Sequence, residues 1–336
     1  MHKSADCPRG SVVQHWIDSQ AVANNMLGDP ARRRVDVYIP AGHDGAGLPL
    51  LVDIVGFTGG GPGHTNWKNF GENVPERADR LIASGEMAPC IIAFPDCFTR
   101  LGGNQYVNSI AMGNWDDFLT TELLEFVEGE YGCGGAGKRG IFGKSSGGYG
   151  AMMHALMHPD IWSAAACHSG DMGFDLMFAS DFAFTLRRIA KHGGTIESFM
   201  TAFESAAKPA GDDIHALMIL AMAASYDPDP EAYLGIRLPV TMDTCEMDPV
   251  AWERWKKSDP LELVETRGPG LKSMKALYID CGDVDQYNLL YGARRMSKRL
   301  TEMGIQHVYE EFPDDHSSVD YRMDVSLPIL SKALSD

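Results

Sequence analysis

Short apolar runs alternate with helical stretches along most of this chain, and this alternation restricts its fold more than any other feature. The runs lie at 48–55, 90–94, 140–142, 163–167 and 276–279. Strands that are buried on both faces of a parallel sheet have this uninterrupted apolar character, and helices connect such strands. We therefore predict an α/β fold with a mostly parallel central sheet and helices on both faces.

Two further regions complete this prediction. Residues 11–17 and 34–39 alternate apolar and polar side chains, with a Gly-Asp-Pro turn at 28–30 between them, which is typical of an antiparallel pair. An amphipathic helix is predicted from Trp115 to Val127, with Asn114 as its cap and Gly132 beyond its end.

Residues 172–262 interrupt the alternation. They are rich in Met, Phe and Ala at helical spacing, and then in Pro and Trp. We predict a mainly helical insertion that acts as a lid, so that residues 1–171 and 263–336 form the core domain.

Charge and cysteine usage exclude several classes of protein. The formal net charge of −17 opposes contacts with a phosphate backbone, so nucleic acid is not an expected partner. The seven scattered cysteines contain no C-x-x-C pair, which indicates free thiols and no zinc site. His154 and His158 lack the glutamate of H-E-x-x-H, so we assign them structural or surface roles and predict no metal.

No apolar run approaches the roughly 18 to 20 residues of a membrane span, and the first residues lack the apolar core of a signal peptide. We predict a cytoplasmic protein with no membrane partner. A homo-oligomer remains open.

The stretch Ile141–Gly150, IFGKSSGGYG, allows two interpretations. A phosphate-binding loop would need a glycine five residues before Gly143, but position 138 is lysine. The G-x-S-x-G pattern instead predicts a sharp strand-to-helix turn that presents Ser145 as a nucleophile, with the small Gly143 and Gly147 allowing close backbone approach. We favour the nucleophile, and a P-loop nucleotide enzyme is the weakest rival.

A serine nucleophile needs a base, and in this fold the acid and then the histidine follow later in the chain. The turn after the strand at 276–279 carries Asp285, with Asp283 as its rival. His316 lies in a loop just after the late strand 307–312. The backbone N–H groups of Ser146 and Phe57 are the expected donors to an oxyanion, because they follow the nucleophile and an earlier strand.

Six segments in this order resemble the putative-esterase family of α/β-hydrolases, which includes esterase D (S-formylglutathione hydrolase), enterochelin esterase-like proteins and feruloyl esterases. They are GDPARRRVDVYIP, VGFTGGG, PDCFTRLGGNQYVNS, GKSSGGYGAM, CGDVDQY and DDHSSVDYR. The resemblance implies the α/β-hydrolase fold, the triad Ser145, Asp285 and His316, and the oxyanion donors Phe57 and Ser146. Lys144 stands where relatives often have His, and the insertion is long for a minimal esterase D, which leaves the substrate open.

The expected activity is hydrolysis of small to medium carboxylic esters through an acyl-enzyme, with no metal or organic cofactor. We expect an apolar acyl pocket lined by Phe57, Trp67, Tyr287, Met172, Phe174 and Phe178. An acyltransferase or thioesterase with the same triad, and a catalytically silent binding protein, are the alternatives.

Overall fold

The computed structural model of the protein describes residues 6–335. Its centre is one eight-stranded sheet with the spatial order β1-β2-β4-β3-β5-β6-β7-β8. The strands are β1 Ser11–Asp18, β2 Arg32–Ile39, β3 Leu50–Ile54, β4 Ile91–Pro95, β5 Arg139–Lys144, β6 Ala164–His168, β7 Ala276–Gly282 and β8 Val308–Phe312. β2 pairs antiparallel with β1 and β4, and every other pairing is parallel, as predicted.

Helices follow or separate most of these strands. They are α1 Val74–Ala83, α2 in three parts (Trp115–Asp117, a π-helical Phe118–Glu122 and Leu123–Tyr131), α3 Ser146–Met157, α4 Phe174–Met177, α5 Ala179–Lys191, α6 Ile196–Ser205, α7 Gly211–Tyr226, α8 Pro249–Lys256, α9 Pro260–Arg267, α10 Leu289–Glu302 and α11 Met323–Ser335. Short 3₁₀ turns lie at Gly61–His64, Tyr233–Gly235, Gly268–Ser273 and Asp320–Arg322, and Asn108–Ser109 pairs with Gly113–Asn114.

The predicted helix is present as α2 and begins at Trp115 as predicted, but the predicted cap is wrong. Asn114 makes no side-chain capping hydrogen bond. The N–H group of Asp117, which a cap would accept, donates instead to Oδ1 of Asn108 at 3.2 Å, and Asn108 also pairs with Asn114 in the two-residue ladder. At the other end Gly132 adopts a left-handed φ of 61°, which ends the helix as expected.

Both faces of the sheet are covered, which explains the apolar runs in the sequence. Leu50, Val52 and Ile54 of β3 join the apolar cluster that contains residues of α2, α3 and α7. Leu51 points to the opposite face and joins the cluster that contains residues of α1 and α11. A strand that is buried on both faces carries apolar side chains on both, so its sequence does not alternate.

The insertion between β6 and β7 is mainly helical, as predicted. It contains α4 to α8, and α9 extends beyond its predicted boundary at residue 262. Its role as a lid stays a prediction.

The seven cysteines form no disulfide bond. In residues 6–335, no helix combines the length and apolar character that a membrane crossing requires. His154 and His158 have the structural roles we predicted. His154 is buried and bonds the carbonyl of Tyr106, and His158 bonds Asp116.

Candidate active site

The turn between β5 and α3 has the strained geometry expected of a nucleophile elbow. Ser145 alone separates the strand from the helix, and its backbone lies at φ 59° and ψ −125°. A non-glycine residue in this conformation costs about 1–3 kcal/mol, which surrounding contacts must offset. The two flanking glycines are required, because a Cβ on Gly143 or Gly147 would lie 2.1 or 2.0 Å from the carbonyl oxygen of Ile54.

The loops after β7 and β8 bring a carboxylate and an imidazole together. Nδ1 of His316 lies 2.8 Å from Oδ2 of Asp285, whose side chain is fully buried. The other carboxylate oxygen accepts the backbone N–H of Tyr287 at 2.9 Å. Asp283 is exposed, so the structure places Asp285 and not its rival against the histidine.

The histidine is held from two further directions. Its backbone N–H donates to Oε1 of Gln286 at 3.0 Å. The ring of Tyr287 meets the imidazole edge-on, with ring centroids 4.9 Å apart. His316 and Ser145 line the same cavity, and the Ser145 hydroxyl has no hydrogen-bond partner among the described residues, so it is free to bond a base or a substrate.

Two backbone N–H groups are available beside Ser145. Ser146 begins α3, so its amide has no acceptor within the helix. The loop after β3 passes against the elbow, since a Cβ on Gly56 would lie 3.3 Å from the Cβ of Ser145. The amide of the next residue, Phe57, has no acceptor within the described part of the chain. The sequence analysis predicted these two amides as donors to an oxyanion, and that role stays a prediction.

A segment that the sequence analysis did not single out as functional supports both donors. The hydroxyl of Tyr106 donates to the carbonyl oxygen of Val55 at 2.5 Å, and Nε2 of Gln105 donates to Oγ of Ser146 at 2.9 Å. Gly103 packs so closely that its Cβ would lie 2.3 Å from the carbonyl oxygen of Phe57. All of these side chains are buried.

This support is itself fixed by neighbouring groups. The hydroxyl of Tyr226 in α7 donates to Oε1 of Gln105 at 3.0 Å. His154 of α3 bonds the carbonyl of Tyr106 at 3.0 Å, and Trp162 donates to the other ring nitrogen of His154 at 3.2 Å. Burial lowers the pKa of His154 to about 4, so this imidazole is neutral and keeps one donor and one acceptor. The only hint in the sequence was the GGNQY stretch itself.

A cavity of about 310 Å³ opens over the elbow. It is lined by the loop after β3, the elbow and the loops after β7 and β8, together with Met177, Ile214, His215 and Met218 from the insertion. Of the predicted pocket residues, Tyr287 and Phe57 reach its wall.

The other predicted pocket residues lie elsewhere. Met172, Phe174 and Phe178 are not part of the cavity wall, because they are buried in the core, where the Phe174 and Phe178 rings pack 4.8 Å apart. Trp67 is 66% exposed and also lies outside the wall. Apolar character in the insertion therefore reflects packing as much as substrate contact.

Two buried acids near the elbow have different surroundings. Burial, with a smaller contribution from the Asp285 carboxylate, raises the pKa of Asp171 to about 8, while the Ser146 hydroxyl opposes the shift. Asp171 lines the cavity, and with this pKa its carboxyl group is mostly protonated at pH 7. Asp53 is also fully buried, but Nδ1 of His64 lies 2.7 Å from its carboxylate. Burial disfavours the His64 cation, yet the charge of Asp53 outweighs burial and raises the pKa of His64.

A third buried acid has a structural role. Asp280 of β7 bonds His168 at 2.8 Å and Arg322 at 2.9 Å, and His168 bonds Ser326 of α11 at 2.8 Å. This network ties the C-terminal helix to the sheet behind the elbow. Within residues 6–335, no three His, Cys, Asp or Glu side chains are grouped so that they could hold a metal ion.

Comparisons with known proteins agree with this arrangement. The model of a family described as "Putative esterase" matches residues 29–326. The MPT51/MPB51 antigen of Mycobacterium bovis and that of Mycobacterium tuberculosis are each 31% identical over 127 residues, which is 37% of this chain and 38% of theirs. The match thus spans less than two fifths of those relatives.

Solved structures resemble nearly the whole chain. A ferulic acid esterase has a TM-score of 0.62 at 20% identity, covering 97% of this chain and 99% of its own. An S-formylglutathione hydrolase from Agrobacterium tumefaciens has a TM-score of 0.59 at 16% identity, covering 99% of this chain and 100% of its own. At these identities the likeness shows a common fold.

Proposed function

Because the chain belongs to the putative-esterase family, we propose that it is a serine hydrolase that cleaves carboxylic esters through the triad Ser145, His316 and Asp285. The observation that carries this proposal is the convergence of three loops on one cavity. The strained serine, the carboxylate-bound histidine and Phe57, which has an unpaired N–H group, line it, and the unpaired N–H group of Ser146 follows the serine directly in the chain. This is the set of groups that acyl transfer requires.

In the proposed mechanism, Nε2 of His316 takes the proton of Ser145 as its oxygen attacks the ester carbonyl. Asp285 accepts a hydrogen bond from Nδ1, which fixes the tautomer of the ring and stabilises the imidazolium. The amides of Phe57 and Ser146 donate to the oxyanion. The imidazolium then protonates the departing alcohol, and water attacks the acyl-enzyme with His316 again acting as base.

The size of the cavity supports a small to medium ester. Its volume of about 310 Å³ lies at the lower end of the range for sites that enclose small ligands. The chemistry of the triad is the same for thioesters and for transfer to another acceptor, so these two alternatives share every step up to the acyl-enzyme.

The test is hydrolysis of 4-nitrophenyl esters from acetyl to decanoyl by the wild type and by Ser145→Ala. We expect turnover by the wild type and a loss of about three orders of magnitude or more in the variant. A fluorophosphonate should add one phosphonyl group to the wild type and none to Ser145→Ala, as read by intact mass.

Ser180→Ala is the matched control, since Ser180 is an exposed serine of α5. It should keep full activity and labelling. Equal turnover by Ser145→Ala and the wild type would show that the nucleophile is wrong. An inert, unlabelled wild type would favour a silent binding protein.

A further inference from the structure

One end of the cavity holds a group of charged side chains that the proposed triad does not use. Lys144, His64 and Asp320 line the wall there, and Lys68 and Asp53 pair with two of them. We call these five residues the cationic corner. It gathers two lysines and a histidine around two carboxylates, within a chain whose formal net charge is −17.

The two carboxylates of the corner are already engaged by protein groups. Nζ of Lys68 lies 2.6 Å from Oδ2 of Asp320, and Nδ1 of His64 lies 2.7 Å from Oδ2 of Asp53. Burial opposes ionisation of Asp320, but Lys68, and then His64 and Lys144, lower its pKa. Lys68, His64 and Lys144 thus all lie close enough to Asp320 to affect its ionisation.

Lys144 is the one basic residue of the corner that pairs with neither carboxylate. Among residues 6–335, its ammonium has neither a hydrogen bond nor an ion pair, although its side chain is only partly exposed. Burial lowers its pKa, which means that the folded protein holds this charge at a cost. A partly buried cation without a partner becomes favourable when an anion joins it.

His64 offers a second donor to the same space. Its Nδ1 faces Asp53, which leaves Nε2 without a partner within the described part of the chain. The Asp53 carboxylate raises the pKa of the His64 imidazole against the effect of burial, which favours the form in which Nε2 also carries a hydrogen and donates. Two unpaired donors thus adjoin a cavity that also contains Ser145, the residue next to Lys144 in the chain.

We propose that this cavity takes esters or thioesters that bear a carboxylate, and that Lys144 and His64 bind that carboxylate at the cationic corner. The proposal rests on the hydrolase function proposed above and specifies its substrate class. A single negative charge fits better than a phosphate dianion, because Lys144 is the one lysine of the corner without a carboxylate partner among the described residues and the Asp320 carboxylate adjoins it. The carboxylate can belong to the acyl part or to the leaving group.

Two substrate pairs test this and separate the two sources. The acyl pair is the 4-nitrophenyl monoester of adipic acid with 4-nitrophenyl hexanoate, and the leaving-group pair is 4-acetoxybenzoate with 4-acetoxybenzamide. The quantity measured is the ratio of kcat/KM for the charged member to that for the neutral member. We expect this ratio to fall by about tenfold to a hundredfold in Lys144→Met for one pair, as for loss of a charge-assisted hydrogen bond.

Two control variants separate the effect of the Lys144 charge from other effects of the substitution. Lys298→Met removes an exposed lysine of α10 outside the cavity and should leave the ratio at the wild-type value. Lys144→Arg keeps the charge and should retain a preference for the charged ester. A ratio that is the same in the wild type and Lys144→Met for both pairs overturns the proposed carboxylate site, while the hydrolase function stands.

A binding measurement makes the test independent of turnover. In Ser145→Ala, monoethyl adipate should raise the melting temperature and ethyl hexanoate should raise it less. The difference should vanish when Lys144→Met is added. If Ser145→Ala responds equally to both compounds, the carboxylate site is refuted, whether or not the wild type hydrolyses any ester.

Discussion

Tyr106→Phe tests whether the Tyr106 hydroxyl fixes the position of the loop after β3. We call this loop, which carries Phe57, the proposed oxyanion loop. The change deletes one hydroxyl, which donates to the carbonyl of Val55 at 2.5 Å in a buried position. The carbonyl would be left unpaired, which costs about 1–3 kcal/mol of unfolding free energy. Because Val55 precedes Gly56 and Phe57 in the chain, the amide of Phe57 should also lose its fixed position.

The effect on catalysis can be bounded from the contacts that remain. Complete loss of one oxyanion donor costs about a hundredfold to a thousandfold in kcat. Gly102 and Gly103 would still pack against the ring and backbone of Phe57, so the loop keeps part of its support. We therefore expect kcat to fall by about tenfold, with little change in KM because the donor acts mainly on the transition state.

Tyr38→Phe is the matched control. Tyr38 is a buried tyrosine whose hydroxyl donates to Asp79 at 2.7 Å, between β2 and α1 and away from the cavity. Urea unfolding should show a loss of stability in both variants, while steady-state hydrolysis of a 4-nitrophenyl ester should show a lower kcat only in Tyr106→Phe. If the two variants lose stability equally and both keep wild-type kcat, the proposed support of the oxyanion loop by Tyr106 is wrong.

Two further predictions concern stability. Asp171 has a folded-state pKa of about 8 and an ordinary unfolded pKa near 4, so the unfolded chain releases this proton first and stability should fall as pH rises from about 4 to about 8. Asp171→Asn should remove this pH dependence of the free energy of unfolding. The variant should therefore gain up to about 1.4 kcal/mol of stability over the wild type for each pH unit. Urea midpoints that differ by the same amount between the two proteins at pH 5 and at pH 8 would contradict this. Gly147→Ala should cost about 3 kcal/mol, because the new Cβ meets the Ile54 carbonyl at 2.0 Å, whereas Gly129→Ala in α2 has nothing within 4 Å and should gain about 0.5–1 kcal/mol. Equal melting temperatures for the two alanine variants would show that the elbow is not closely packed.

The sequence predicted the sheet well because the evidence for it is local. Each central strand is a run of apolar residues buried on both faces, and the two N-terminal strands are separated by a Gly-Asp-Pro turn. The predicted positions agree with the observed strands to within a few residues. The elbow could also be predicted from the sequence. Gly143 and Gly147 are required by close contacts within one short turn and with the neighbouring strand.

The sequence also predicted that an acidic turn and then a loop histidine follow the serine. It did not decide which aspartate of the turn contacts the histidine. Asp283 and Asp285 differ by two residues, and only the folded turn shows that one is exposed while the other is buried against His316. The cap predicted at Asn114 is wrong for a similar reason, because the side chain of Asn108 accepts the N–H group of Asp117 in its place.

The walls of the cavity and the groups behind it were decided by tertiary structure alone. Met172, Phe174 and Phe178 have the composition of a pocket wall, yet they pack in the core. Tyr106 lies 51 positions from Val55 in the chain, and Gln105 lies 41 positions from Ser146.

The same holds for the cationic corner, where Lys68 meets Asp320 across 252 positions. The sequence alone thus determined which segments become strands and which serine stands on the turn, because burial and backbone strain act on neighbours in the chain. It could not determine which distant side chains share a cavity, because those distances depend on how every strand and helix packs at once.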